Sequence, residues 1–532
     1  MSSIASFSIQ MLFLCASAGT LLAQAAVLTS VQNPASNIPA GLPNSGLAQG
    51  SLIVVYGSNL GLATLVQASS VPWPTTAGLA GTTITVTVNG TTVTAPMDYT
   101  YVSQVAAILP SNTPLGNGTL TVKYNGATGS IPITVVASNF GMSTVNQTGT
   151  GPAVVTFPDY SLVTTSNSAK PGDVVVLWGT GLGATTGSDA AYPVQVDLGT
   201  PIQLSVGGTP ATVLYRGRSA LPGLDQINFK IPSGVSGCNL SLNAFTGSSI
   251  VSNYTSISVA TNGGQCSDPT GALAFLTGLL TKSSIRFGLL GLEFTDNNGG
   301  VAGVDTLIVQ STFMVLSQRQ FAATAAVLTG QVGTGLTPGC SVSYAPLDLT
   351  PLGVSKYLTA GAALTLTNPL GAATTLLPDT SHSPTGVYGA ILTAEPAGTY
   401  TFSNGVGASD VGPFNVSFTL APPVTWTNSA SAAIIDRSKP LTITWTGGDS
   451  TAYVDIALGG NSQGTNVNID CSAPASLGQL TIPPGVLYAL PAVTGDLTVA
   501  TGTYGQQLPI PGFDLFSVYA ARPATSIQPV IR

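Results

Sequence analysis

The chain has 532 residues, of which 13 are Lys or Arg and 20 are Asp or Glu, for a formal net charge of −7. So few cations, in no basic cluster, leave nucleic-acid binding without an electrostatic basis; no run of about 20 apolar residues follows the N-terminus, so no membrane span is expected in the mature chain. Its 62 Gly and 37 Pro predict many turns between short strands, and its branched and aromatic content is too high for a disordered chain.

Residues 1–25 read as a secretory signal. Ile9 to Ala18 is an apolar stretch interrupted by Gln10 and Ser17, and Ala23-Gln24-Ala25 forms a small-x-small cleavage site. No Lys or Arg precedes the apolar stretch, a departure from the usual pattern. Cys15 follows Leu14 rather than a small residue, which argues against lipid attachment there. A secreted or cell-surface location is therefore expected.

A repeat then begins. Gly50-Ser51-Leu52-Ile53-Val54-Val55-Tyr56-Gly57-Ser58-Asn59-Leu60-Gly61 returns 122 residues later as Gly172-Asp173-Val174-Val175-Val176-Leu177-Trp178-Gly179-Thr180-Gly181-Leu182-Gly183. Gln104-Val105-Ala106-Ala107-Ile108-Leu109-Pro110 precedes Gln226-Ile227-Asn228-Phe229-Lys230-Ile231-Pro232 by the same interval, and Val88-Asn89-Gly90 precedes Val206-Gly207-Gly208 by 118. Within the first copy, Thr83-Ile84-Thr85-Val86-Thr87-Val88 alternates hydroxyl and branched apolar residues before Asn89-Gly90, a tight hairpin signal. Val174-Val175-Val176-Leu177-Trp178 does not alternate, which predicts a buried strand. Two copies of one β-sandwich are expected, over 26–138 and 139–260.

These motifs resemble the uncharacterised Solibacter-type C-terminal domain of acidobacterial secreted proteins, whose halves look like IPT/TIG immunoglobulin-like folds. The likeness covers about 27–260 and is best in the second copy: Lys170-Pro171-Gly172, Gly179 to Gly183, Val206-Gly207-Gly208-Thr209-Pro210-Ala211 and Gly223-Leu224-Asp225-Gln226-Ile227-Asn228. The first copy departs, with Gln49 before Gly50 and Ala106-Ala107 in place of the Asn-Phe pair. The resemblance implies a fold and a secreted context, and no activity.

Thr261-Asn262-Gly263-Gly264 opens a linker over 261–290, in which Leu273, Leu276, Leu279 and Leu280 predict one short helix near 271–282. Lys282 and Arg286 keep that helix from crossing a bilayer. β patterning resumes at about 291 and is clear in 364–368, 398–402 and 414–420. Ala421-Pro422-Pro423 separates a third sandwich, 291–421, from a fourth, 422–532. The fold class is thus all-β, tandem immunoglobulin-like sandwiches. Four cysteines remain after export, Cys238, Cys266, Cys340 and Cys471, enough for two disulfides in three possible connectivities. Proximity favours Cys238–Cys266, which leaves Cys340–Cys471.

The catalytic inventory is thin. His382, the one histidine, lies in a loop-like stretch, and no Gly-x-Ser-x-Gly elbow precedes a helix. No pair of the few acids declares itself as a glycosidase dyad. Calcium is a possible cofactor at Glu293, Asp296, Asn298 and Asp305 around Asn297-Asn298-Gly299-Gly300, although a plain hairpin turn uses the same residues. For sugar stacking, Trp73 on a stiff Pro-Trp-Pro loop and Tyr99 with Tyr101 on one strand face are the candidates. Trp178 and Trp445 end apolar strands and are expected in the core. The sequence thus predicts a secreted, non-enzymatic structural or adhesive protein with an extracellular protein or polysaccharide partner and possible self-association through edge strands. A polysaccharide-binding accessory protein is the alternative. A secreted hydrolase with an unrecognised carboxylate pair is the third reading.

Overall fold

The computed structural model describes residues 25–246, 249–250, 252–266, 279, 281–295, 306–317, 339–344, 356–379, 386–393, 396–449, 452–462 and 464–532. The chain is all-β. The helix expected near 271–282 falls almost wholly outside the described residues, as does nearly all of the signal segment. Among the described residues the α-helical element of more than one residue is the single turn Pro484–Leu487.

The first copy is an immunoglobulin-like sandwich. Strands Val27–Gln32, Leu52–Ser58, Gln104–Ile108 and Met97–Thr100 lie side by side in one sheet, with Val66–Gln67 at its edge. Leu47–Ala48, Ala127–Val136, Gly116–Tyr124, Thr82–Val88 and Thr91–Thr94 make the other. In chain order this is the A-B-E-D and C-F-G division of the immunoglobulin fold. Thr82–Val88 alternates as its sequence predicts: Ile84, Val86 and Val88 are buried. Asn89 and Gly90 both take positive φ, 49° and 78°, and turn the strand back onto Thr91–Thr94. Two left-handed residues are what a two-residue hairpin needs to match strand twist.

The second copy repeats the plan. Leu52–Ser58 and Val174–Thr180 are 122 residues apart and of equal length, and each pairs with the strand that begins at the Gln-containing motif. One difference has a local cause. Thr209–Arg218 runs unbroken from one sheet to the other, pairing first with Gln203–Val206 and then with Asp225–Lys230, across a bulge at Val213/Tyr215. In the first copy the same path is split into Thr91–Thr94 and Met97–Thr100. Pro96, which has no amide proton for a ladder, sits at the break. Each copy closes its own core, one around Ile53, Val86 and Leu120, the other around Val175, Ile227 and Phe229.

The C-terminal half is joined by its last long strand. Ser284–Thr295 pairs with Thr306–Ser317 over its whole length and, on its other side, with Leu515–Ile527 in parallel. Leu515–Ile527 also pairs with Asp496–Gln507. One sheet therefore runs through residues on both sides of Ala421-Pro422-Pro423, and Phe516 and Val518 belong to the core of the earlier half. The other core gathers Trp426, Trp445, Val454, Ile456 and Val499, and receives Ile38 and Leu42 from the first copy. Trp426 and Trp445 face each other across paired strands, both buried.

Cys238 is bonded to Cys266, and Cys340 to Cys471. The second bond lies between directly opposed residues of paired strands and closes a separation of 131 residues. Replacing both Cys340 and Cys471 by Ala should lower stability by about 2–4 kcal/mol, since so long a closed loop strongly restricts the unfolded chain. Thermal denaturation in non-reducing buffer checks this, and an unchanged Tm would contradict it.

Candidate functional site

The joint between the two copies is built from the repeated motif itself. Gly181 and Leu182 aim their amides at one oxygen of Asp225, at 2.7 and 2.8 Å. Arg218 donates to the other Asp225 oxygen and, at 2.6 Å, to the Gly183 carbonyl. Both side chains are buried, 1% and 0% exposed. Burial pushes the Asp225 carboxyl upward, and Arg218 with the two amides pulls it back. Gly50 of the first copy, at φ 69°, lies against this pair: a Cβ there would collide with the guanidinium. Ladder register aligns Thr100 with Arg216, so the first copy holds Val102 and Ser103 where the second has Arg218 and Asp225, and it has no counterpart of the pair.

Hydrogen bonds complete the joint. Thr180 Oγ1 accepts the Leu52 amide at 2.9 Å and donates to the Gly223 carbonyl at 2.6 Å. Asp189 accepts from the Ser111 amide and hydroxyl, both at 2.7 Å. Asn33 donates to the Asn139 and Thr180 carbonyls, and Asn139 to those of Asn44 and Gly46. On the outward face of the first copy's sheet, Val54, Ala106 and Ile108 are buried, and Leu52 and Ile108 meet the Gly223 turn.

The structure does not bring the sequence-predicted aromatics into one stack. Trp73 is half-buried, and its amide donates to the Ala190 carbonyl of the second copy at 2.8 Å, so it stands at the joint. Tyr99 lies on Met97–Thr100, offset by a bulge. Burial, then the neighbouring Tyr56 and Asp98, pushes its phenol up to about 12. Tyr101 follows the strand's end and donates its amide to Gln104. Of the calcium candidates, Glu293 lies on Ser284–Thr295, while Asp296, Asn298 and Asp305, like His382, lie outside the described residues.

Trp178 is a correction. Val174–Thr180 does alternate: Val175 and Leu177 enter the core, whereas Val176 and Trp178 point outward and are half-buried. Its apolar outward side concealed the period. Tyr160, 73% exposed, stacks on Trp178 with ring centroids 6.2 Å apart, and Trp178 Nε1 donates to Thr156 Oγ1 at 3.0 Å. Trp178 is directly opposite Gln226, which is opposite Gly217; Asn228 is opposite Tyr215. A Cβ at Gly217 would collide with the Val196 carbonyl and then with the Tyr215 phenol, so glycine admits both the backbone at 196 and the end of that ring. Tyr215 is anchored by donating to the Arg218 carbonyl at 2.7 Å.

Strand register also supplies a carboxylate pair that the sequence hides. Asp455 is opposite Ser472 and Ala457 opposite Asp470, which makes Asp455 and Asp470 diagonal neighbours on one face. Burial, and then the charge of Asp470, push Asp455 well above the usual carboxylate range. Its Oδ2 is out of solvent contact and has no hydrogen-bond partner.

The fold and these sites define an all-β protein of immunoglobulin-like sandwiches. No family model matches the chain, and comparison with curated proteins gives no match either. Solved structures with similarity include a γ-CGTase from alkalophilic Bacillus clarkii, at 11% identity, TM-score 0.17, with 69% of this chain and 36% of that one covered. A domain tandem of titin has 8% identity, TM-score 0.13, and 70% and 93% coverage. The SGBP-B of a Bacteroides ovatus mixed-linkage glucan utilization locus, solved with a heptasaccharide, has 10% identity, TM-score 0.14, and 76% and 81% coverage. The chain spans about a third of the CGTase, and scores this low carry no argument about what this chain does.

Two substitutions test these sites. Asp225→Ala leaves a guanidinium buried without its counter-charge and should cost about 3–5 kcal/mol, whereas Arg218→Met with Asp225→Leu should recover most of the loss. Denaturant unfolding separates the two outcomes. For Asp455 the raised folded-state pKa means that stability present below the unfolded value, about 3.9, is lost as pH rises toward the folded one. Asp455→Asn cannot titrate, so its Tm should exceed that of the native chain by a margin that grows from pH 4 to pH 7; a constant margin would contradict the assignment.

Proposed function

We propose that the protein is exported and acts outside the cytoplasm as a non-enzymatic surface protein, its sandwiches giving a structural or adhesive body. The observation that carries this reading is the joint between the two copies. Modules joined by flexible linkers reorient freely; here Arg218, Asp225, Thr180, Asp189 and Gly50 fix one sandwich against the next. A body of that kind bears load and holds its faces in set directions. Two disulfides favour an oxidising compartment. The secretory reading of residues 1–25 and the resemblance to acidobacterial secreted domains point the same way. Among the described residues, no helix is long and apolar enough to cross a membrane, and no group of three or more His, Cys, Asp or Glu is placed to hold a metal.

Fractionation of the producing cells, with thiol alkylation before and after reduction, tests this reading. The expected protein is extracellular or surface-bound, starts near Ala26, and takes no alkyl groups until reduced. Cells lacking it should lose surface attachment or cohesion. A cytoplasmic protein with all five cysteines as reactive thiols would overturn the proposal.

A further inference from the structure

The outward face of the second copy carries a row of side chains that the joint does not use. It runs from Tyr160 through Trp178 on Val174–Thr180 and Gln226 on Asp225–Lys230 to the Tyr215 ring, whose phenol end lies with the Val196 carbonyl against Gly217. We propose that this row is a binding site for a neutral polysaccharide chain.

The chemistry of the row fits that ligand in three respects. Pyranose rings present apolar C–H faces, which stack on the electron-rich faces of aromatic rings. The polar handles of both inner aromatics are already engaged inside the protein, Trp178 Nε1 by Thr156 and Tyr215 Oη by Arg218, so what they offer a ligand is their ring faces. Between them stand two side-chain amides. Gln226 Nε2 donates to Asn228 Oδ1 at 3.3 Å, which sets the orientation of both and leaves Gln226 Oε1 and Asn228 Nδ2 to accept from and donate to hydroxyls. The strands bearing Trp178 and Tyr215 are two ladder spacings apart, roughly 10 Å, about the span of two sugar rings. No charged side chain stands between the two inner aromatics; Asp159, engaged by Ser161, lies beyond one end, the Asp197–Arg216 pair stands beside Gly217 and Tyr215, and Lys230 lies further along the same sheet face. A neutral glycan therefore matches it, whereas the bordering charges, Asp159, Asp197, Arg216 and Lys230, are balanced in sign and give an anionic one no net counter-charge.

The repeat supplies a second argument. The equivalents of Val174, Val176 and Trp178 in the first copy are Leu52, Val54 and Tyr56, and those of Gln226, Asn228 and Lys230 are Gln104, Ala106 and Ile108. There the face is apolar apart from Gln104; Val54, Ala106 and Ile108 are buried, and Leu52 and Ile108 meet the Gly223 turn of the second copy. In the second copy Asn228 and Lys230 replace Ala106 and Ile108, and Val174 is 39% exposed. The same sheet face has thus become polar in the second copy, gaining an amide and a lysine beside the glutamine that both copies share, and suits a hydroxylated, hydrated partner.

Affinity electrophoresis of the exported full chain tests this, in native gels containing hydroxyethyl cellulose, galactomannan, mixed-linkage β-glucan or, as the anionic contrast, alginate. Retardation is expected in at least one neutral gel and not in alginate. Trp178→Ala and Tyr160→Ala should each weaken it about ten-fold or more, as loss of a stacking aromatic does. Gln226→Ala should weaken it less, and Trp73→Ala should leave it unchanged. Tyr160 is on an exposed turn, so its variant decides the matter if Trp178→Ala fails to fold. Absence of retardation in every neutral gel, a preference for alginate, or undiminished binding by Tyr160→Ala would overturn the proposal. None of those results would bear on the structural role, which rests on the joint and the disulfides.

Discussion

A carboxylate can be taken out of water only where its lone pairs are met by donors and its charge by a cation, and Asp225 meets both conditions. Two successive amides of the Gly-x-Gly-Leu-Gly turn supply the donors, and Arg218 supplies the charge. Each requirement falls on a different part of the chain. The turn must hold two amides in line, the strand Thr209–Arg218 must cross between sheets to bring Arg218 under it, and the first copy must keep a glycine at position 50. A buried pair of this kind contributes less to net stability than to uniqueness of arrangement, because any other seating of the sandwiches leaves a charge uncompensated. In a chain with so few charges, most other contacts between the copies are amide and hydroxyl bonds to backbone. Such bonds fix register and contribute about 1 kcal/mol each.

The same preference for direct joints over linkers governs the C-terminal half. Leu515–Ile527 lies between Ser284–Thr295 and Asp496–Gln507, so residues more than 200 positions apart share a ladder. Ile38 and Leu42, from a loop of the first copy, enter the core around Trp426 and Trp445. The joints between sandwiches are therefore packed and hydrogen-bonded, as interiors are. Fixed faces follow, and a fixed face loses little entropy when it binds.

Much of this fold was legible in residue order. Alternation in Thr82–Val88, the Asn89-Gly90 turn and the 122-residue interval each report a local rule, and the strands lie where those rules put them. The sites were far less legible. The joint draws on residues 33, 50, 111, 180, 189, 218 and 225; Gly50 and Thr180 lie in the repeated motif, but no spacing shows that these residues meet. The Asp455–Asp470 pair depends on which residue opposes which across a ladder, and register is a tertiary fact. Trp178 was misread for a sharper reason. A run such as Val174–Trp178 is apolar on both faces, and a run without alternation looks buried on both. The outward half of it is instead apolar because Tyr160 and the strand Val155–Thr156 pack beside it.

Divergence between the copies shows how one fold came to hold two kinds of surface. Leu52–Ser58 and Val174–Thr180 keep the same length and the 122-residue interval, while the outward positions of the strands they pair with differ: Ala106 and Ile108 in one copy, Asn228 and Lys230 in the other. Those positions are free to change because the core needs only their alternate neighbours, Val105 and Ala107 or Ile227 and Phe229. In the first copy these positions are apolar and buried, with Ile108 against the Gly223 turn of the second, and the Arg218–Asp225 pair fixes the seating. In the second it left a polar, aromatic face turned outward on a body that cannot reorient it. A rigid joint and an open platform thus arise from one sheet geometry, separated by which side chains occupy positions that the sandwich itself does not constrain.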